Sequence, residues 1–210
     1  MISLSEILHT IAQALMIPCL IILIILMAGA VWQIGDIVVE YIAERRKHKC
    51  NVPQLLRDVH AAGADGLAEL IENSGLLRRQ KKALLELAES RGLPKDTLTA
   101  LAERLLATEE ARNARTTSIT DMIAKLGPMF GLLGTLIPLG PGIVALGQGD
   151  TVTLSESMNV AFDTTIAGVI SAAVASVISN IRKRWYNDDM VSLETLMEAV
   201  LEEVTSDVEG

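Results

Sequence analysis

The chain has 210 residues, half of them apolar and 3% aromatic, and 26 acidic against 18 basic side chains give a formal net charge of −8. Length alone suits one or two soluble domains, but the apolar residues fall in long uncharged blocks, which excludes an ordinary soluble fold. Two cysteines, Cys19 and Cys50, without disulfide or metal spacing exclude a stapled scaffold and a metal-ligand cluster.

The first apolar block contains LMIPCLIILIILMAGAVW, and apart from His9 no charged or titrating group of the usual acid or base types lies between Glu6 and Asp36. The residues before it, MISLSEILHT, carry no positive charge, and Gln13–Gly35 is long for a signal's apolar region. A retained transmembrane helix over 14–39 is therefore expected, after an N-terminal end at 1–13. Its bulky composition suits a helix facing lipid, with Pro18 near the outer end and Cys19 as a small apolar residue.

From 40 to 122 the sequence reads as helix after helix. In NVPQLLRDVH, Asn51 is a candidate cap and Pro53 falls in the first turn. GLAELIENSG places Leu67, Leu70 and Ile71 on one face, and LLRRQKKALLELAESRG repeats the pattern through Leu77, Leu84, Leu85, Leu87 and Ala88, ending at Gly92. The longest helix begins after LPK, with Asp96 or Thr97 as its candidate cap, and a stripe of Leu98, Leu101, Leu105, Ile119 and Met122. It has no break before the second apolar block, so one rod running into that block is expected, with Gly127–Pro128 as a candidate bend. His48 and His60 stand alone, and a solvent-facing or satisfied histidine is the expectation for each. The basic run ERRKHK reads as a topology and headgroup feature, because a nucleic-acid surface needs a broader patch than helices balanced by Glu and Asp provide.

The second block has no charge between Lys125 and Asp150, and the third has none from Thr164 to Ile181. A helix needs roughly 20 apolar residues to cross a bilayer, so these become spans at 123–146 and 159–181, joined by an outer loop at 147–158. In span two, Gly127, Gly131 and Gly134 are spaced by four and three, and Thr135 lies one turn beyond Gly131. In span three, Ala161, Thr165, Gly168, Ala172, Ser176 and Ser179 form a small, weakly polar strip. Close helix packing is the expected role of Gly127, Gly131, Gly134, Gly168 and Ala172, because lipid gives helices no hydrophobic reason to associate. The hydroxyls of Thr135, Thr164, Thr165, Ser171, Ser176 and Ser179 can satisfy themselves on their own backbones, yet with Asn159 and Asp163 they make one face wetter than the other. Asp163, about a turn and a half inside the outer end, fits either a rim position or a pore mouth. Pro138 and Pro141 each remove a backbone donor, so a bend is expected in the outer half of span two.

Charge placement orients the spans. No Lys or Arg precedes Arg45, fifteen lie from Arg45 to Lys125, and the last three are Arg182, Lys183 and Arg184. The positive-inside bias puts 40–122 and the tail at 182–210 in the cytoplasm, and the N-terminus and the GQGDTVTLSESM loop outside. Tyr41 and Trp185–Tyr186 fall where interfacial aromatics belong. No Ser/His/Asp set, carboxylate pair or metal-spaced cluster appears, so neither an enzyme nor a cofactor is expected.

This topology, with KLGPMFGLLGT (Lys125–Thr135) and AFDTTIAGVISAAVASVISN (Ala161–Asn180), resembles the MotA/TolQ/ExbB family of proton-channel subunits, most closely its TolQ and ExbB branch. The first segment is similar to the family's span-two signature of a small–Pro pair followed by G-L-L-G-T. The second is similar to its span-three signature of Thr, Gly, an alanine-rich stretch and a terminal Asn. The resemblance implies an all-α integral membrane protein of the cytoplasmic membrane that forms a ring, a homopentamer, with spans two and three lining a pore. It implies a small single-span partner of the ExbD/TolR kind that sits inside and carries the essential membrane aspartate. The family's pore-facing threonines correspond here to Thr135 and Thr165, with Thr164, Asp163 and Ser176 as further pore-lining candidates. This sequence departs from the pattern at LIPLGPGIVAL after the signature, where typical members have a tryptophan-containing run, and at Asp163.

Overall fold

The computed structural model describes residues 4–42 and 51–209; the ERRKHK run, His48 and Cys50 lie outside the described residues. Among the described residues there are six helices and no strand: α1 (Leu4–Ala14), α2 (Met16–Glu40), α3 (Val52–Asn73), α4 (Arg78–Glu89), α5 (Lys95–Gly147) and α6 (Thr151–Glu209). The sequence thus folds as all-α, with three helices long and apolar enough to cross a membrane: Glu6–Glu40, Lys95–Gly147 and Thr151–Ser206. Contacts divide the chain into two units, Met1–Ile37 with Thr117–Ile181, and Val38–Thr116 with Arg182–Gly210.

In the first unit, α2 buries one narrow stripe, Cys19, Leu23, Leu26, Ala30 and Gln33, at intervals of four and three. That spacing keeps a single seam of a helix facing its neighbours. Leu26 and Ala30 pack with Ile123 of α5 and Ala175 of α6, while Ile21, Ile24, Ile25, Val31 and Trp32 face outward. Pro18 falls in the first turn of α2, where a missing N–H costs little.

In the second unit, the amphipathic faces of α3, α4 and the first turns of α5 close over the C-terminal part of α6. Leu67, Ile71, Leu84, Leu87 and Leu98 are buried with Leu193, Leu196, Met197, Val200 and Val204; Leu70, Leu85, Leu101 and Leu105 pack against them. At the start of α3 the Asn51 carbonyl accepts the N–H groups of Gln54 and Leu55, but its side chain makes no capping bond. The helix is interrupted at Gly63, whose φ of 63° is open to glycine but strained for other residues. At α4 the expected periodicity begins one residue late: Leu77 stands at the cap position and its N–H donates to Gln80 Oε1 at 3.2 Å.

Three sequence expectations are corrected. Neither Asp96 nor Thr97 caps α5; the Pro94 carbonyl accepts from Thr97 and Leu98 N–H, which places both candidates in the first turn. The apolar stripe of α5 does not extend to Ile119 and Met122, which are 55% and 52% exposed on the isolated subunit. Thr117, Thr120 and Ile123 face inward instead: Thr120 meets Gln33 of α2, and Ile123 packs with Leu26 and Ala30 of α2 and Ala175 of α6. The outer loop expected over 147–158 is reduced to Gln148, Gly149 and Asp150, since α6 begins at Thr151. The polar run TVTLSESM becomes helical because Asp150 caps it: its Oδ1 accepts the N–H groups of Val152 and Thr153, both at 3.1 Å, and its Oδ2 accepts the Thr153 hydroxyl at 2.6 Å. The tail at 182–210 continues the same helix to Glu209.

The Thr153 hydroxyl, then the Thr153 and Val152 amides, hold the Asp150 carboxyl below its ordinary value against a small desolvation effect. A depressed folded-state value means the cap is fully effective above the usual aspartate range and is lost as pH falls through the lowered value. Asp150→Ala should therefore speed hydrogen exchange at Val152 and Thr153 at neutral pH, and strong acid should do the same to the wild type; exchange unchanged in the variant would show the cap to be idle.

Candidate functional site in the seam of α5 and α6

The two helices meet through glycine. A Cβ placed on Gly168 would lie 2.5 Å from the Gly127 carbonyl oxygen and 2.9 Å from Gly131 Cα. One on Gly127 would lie 2.7 Å from the Gly168 oxygen and 3.0 Å from Ala172 Cβ, and one on Gly134 would lie 2.6 Å from Thr164 Cβ. Gly131 is less constrained, its added Cβ meeting Gly168 Cα at 3.4 Å. Backbones that close leave no room for side chains, and dispersion between the two main chains replaces the hydrophobic drive that lipid cannot supply. All five packing candidates, Ala172 among them, are buried in this seam.

The remaining candidates are distributed around it. Thr164, 5% exposed, fills the space left by Gly134, and its hydroxyl donates to the Val160 and Ala161 carbonyls, both at 2.9 Å. Its side chain is thereby committed to the contact between helices within one subunit. Thr135 and Thr165 are half-buried at the seam's edge; their hydroxyls donate to Leu132 O at 2.6 Å and Ala161 O at 3.0 Å. Asp163 and Ser176 are exposed on the isolated subunit. The three prolines lie inside an α5 that runs helical from Lys95 to Gly147: Pro128 exposed, Pro138 buried and Pro141 half-buried.

Sequence reasoning missed a set of polar ties in the same unit. Thr120, fully buried, donates to Gln33 Oε1 at 2.6 Å, joining α5 to α2. Ser179, 3% exposed, donates to Asp121 Oδ1 at 2.5 Å, joining α6 to α5. Cys19 Sγ donates to the Phe130 carbonyl at 3.4 Å. Gln33 was the available signal, as an amide in the register of the buried stripe of an otherwise oily helix. Ties of this kind contribute about 0.6–2 kcal/mol each in membranes and fix which way a helix faces.

In the second unit, Arg182 is buried and its Nε donates to Glu40 Oε2 at 3.0 Å. Tyr186 shares that carboxylate: burial first, then the charge and hydrogen bond of Glu40, push its hydroxyl up to about 12, against the opposing Arg182 and Arg79 charges. Tyr41 stacks on Trp185 with ring centroids 6.1 Å apart. Gln80 Nε2 donates to the Asp189 carbonyl at 3.0 Å. His60 is not alone, its Nδ1 lying 2.7 Å from Glu203 Oε1. No group of three or more metal-ligating side chains occurs among the described residues.

With three helices long and apolar enough to cross a membrane, two of them joined through glycine, the chain is built as a polytopic membrane protein. The model of the MotA/TolQ/ExbB proton channel family matches residues 70–195, which span α4, α5 and most of α6, and the chain belongs to that family. The comparison with curated proteins returned no match.

Gly168→Ala should destabilise the subunit by about 1–3 kcal/mol, the usual range for overpacking, and Gly131→Ala by distinctly less. Unfolding in mixed micelles measures both, and equal effects would contradict the ranking of the contacts. Glu40→Gln should lower the pKa of Tyr186 while burial keeps it above the ordinary tyrosine value, as read by ultraviolet titration; a value that does not move would remove Glu40 as a cause.

Proposed function

We propose that the chain is an energiser subunit of the TolQ/ExbB type. Five copies form a ring in the cytoplasmic membrane, N-termini outside and C-termini in the cytoplasm. The membrane parts of α5 and α6 line a central pore around a small single-span partner that carries an intramembrane aspartate. Proton-motive force loads and unloads that acid, and the resulting motion of the partner performs the work. The electrical drive is about 2.3 kcal/mol per elementary charge per 100 mV.

The observation that carries this reading is the chemistry of the seam. Family membership supplies a proton channel, yet α5 has no ionisable side chain between Lys125 and Asp150, and α6 has only Glu156 and Asp163 before Arg182. Thr135 and Thr165 provide hydroxyls at the edge of the seam and no proton-holding group. Asp163, exposed near one end of that stretch, is the one carboxylate among the pore-lining candidates, so conduction along the rest of the wall calls for an acid brought by another chain. The basic residues confined to Arg45–Lys125 and Arg182–Arg184 support the orientation. A second reading, a non-conducting scaffold, draws on the fact that both threonine hydroxyls already have partners on their own helices.

Flux separates the two. In vesicles holding the chain with its co-purified single-span partner, Thr135→Val and Thr165→Ala should each lower proton flux roughly tenfold, equivalent to about 1.4 kcal/mol on the barrier. Unchanged flux in both variants would overturn the pore-lining roles; absence of flux in the wild-type complex would favour the scaffold. A gradient of sodium in place of protons identifies a sodium-driven variant.

A further inference from the structure

Thr135 and Thr165, the hydroxyls at the edge of the seam, have counterparts two heptads further in. On α5 fourteen residues lead back from Thr135 to Asp121, and on α6 fourteen lead on from Thr165 to Ser179. Fourteen helical residues advance about 21 Å and return to within about 40° of the same bearing. The helices run antiparallel, since Gly127 meets Ala172, Gly131 meets Gly168 and Gly134 meets Thr164. The two inner residues therefore come together, and the Ser179 hydroxyl donates to Asp121 Oδ1 at 2.5 Å. On the other side of α5, Ile123 packs on Leu26 and Ala30 of α2. Asp121, two residues before Ile123, is about 200° from it around the helix, on the flank that α2 leaves open. There Asp121 is half-buried, while Ser179 is 3% exposed.

The pair stands at the inner edge of the membrane, because the uncharged run of α5 begins just after Lys125 and that of α6 ends at Arg182. Within about a turn of this level the charged groups are Asp36 on α2, Lys125 on α5, and Arg182 and Lys183 on α6. A tie between helices needs only an acceptor for the Ser179 hydroxyl, which an amide supplies at less cost. A carboxylate at the hydrocarbon edge is expensive, and ionisable groups in such places mark ion and proton paths. We infer that Asp121 is the inner proton acceptor of the channel, the station between the partner's acid and the cytoplasm. This rests on the channel reading above and names where the proton leaves. The carboxylate takes the proton that the partner's acid releases, delivered as hydronium, and becomes a neutral carboxyl group. It then loses the same proton to cytoplasmic water and returns to its starting charge. Ser179 is a positioning residue, holding Oδ1 and with it the plane of the carboxyl group.

The test measures proton flux in vesicles holding the full chain with its co-purified single-span partner, for the wild type, Asp121→Asn and Ser179→Ala. Asparagine keeps an acceptor for Ser179 but carries no proton. Flux should fall by roughly a hundredfold, the lower end of what a positioned proton-transfer group contributes. Sodium azide, a small weak base whose acid can carry the proton instead, is added on the side that bears the C-terminus. It should restore flux severalfold in Asp121→Asn and leave the wild type and protein-free vesicles unchanged. Ser179→Ala removes the tie but keeps the carboxylate, so its loss should be much the smaller. Flux retained in Asp121→Asn, a loss that azide does not restore, or an equal loss in Ser179→Ala overturns the role and leaves the pair as a tie between helices. Absence of flux in the wild-type complex removes the channel reading and this role together, whereas wild-type flux with an unaffected Asp121→Asn removes the role alone.

Discussion

Contact between the main chains of α5 and α6 is the constraint on which the membrane part depends. With Gly168 wedged between Gly127 and Gly131, the helices approach until neither can accept a methyl group. In water such an approach would be one contribution among many. In lipid it is the principal one, since side chains exchanging hydrocarbon for hydrocarbon gain little. The seam also explains why Thr164 is threonine: a small branched residue fills the space opposite Gly134, and its hydroxyl returns to its own backbone instead of being stranded.

Around that seam, polar ties supply what close packing lacks, namely direction. A glycine face tolerates small rotations, but the Thr120 hydroxyl reaches Gln33 in only one rotation of α2, and Ser179 reaches Asp121 in only one rotation of α6. The second unit repeats the device with charge. Arg182 is nearly inaccessible and its Nε donates to Glu40, so exchanging Glu40 for a neutral residue strips a buried charge of that compensation, which costs more than the pair stabilises. Tyr186 shares the carboxylate, and Tyr41 stacked on Trp185 shields the neighbourhood with aromatic surface.

The apolar blocks, their order and the glycine spacing were all legible in the sequence, because membrane length and close approach each demand particular residue types over a fixed interval. Partners far apart in the chain were not. Gln33 reads as an unremarked polar residue near the end of a span until Thr120 is placed against it. Periodicity alone favoured Ile119 and Met122 for the buried face of α5, and the structure turns them outward because Thr120 and Ile123 take the inward positions, against Gln33 and against Leu26 and Ala30. TVTLSESM looks like a loop by composition, and it is helical because one preceding side chain, Asp150, satisfies the first free amides. The three threonines stood out as hydroxyls in apolar spans, Thr135 and Thr165 also by the resemblance, and the seam separates them: Thr164 inside the contact, Thr135 and Thr165 at its edge.

The connection between α5 and α6 decides which helices form the seam. Only Gln148, Gly149 and Asp150 join the helices, with Gly149 at a φ of 80°. Fully extended, three residues reach about 10–11 Å, so with the turn closed the end of α5 and the start of α6 are held side by side. Exchange of elements between copies needs a hinge that can open, and this one is tied shut by the Asp150 cap. While that cap holds, α6 stays folded against the α5 of its own chain, and a defect in the seam belongs to the chain that carries it.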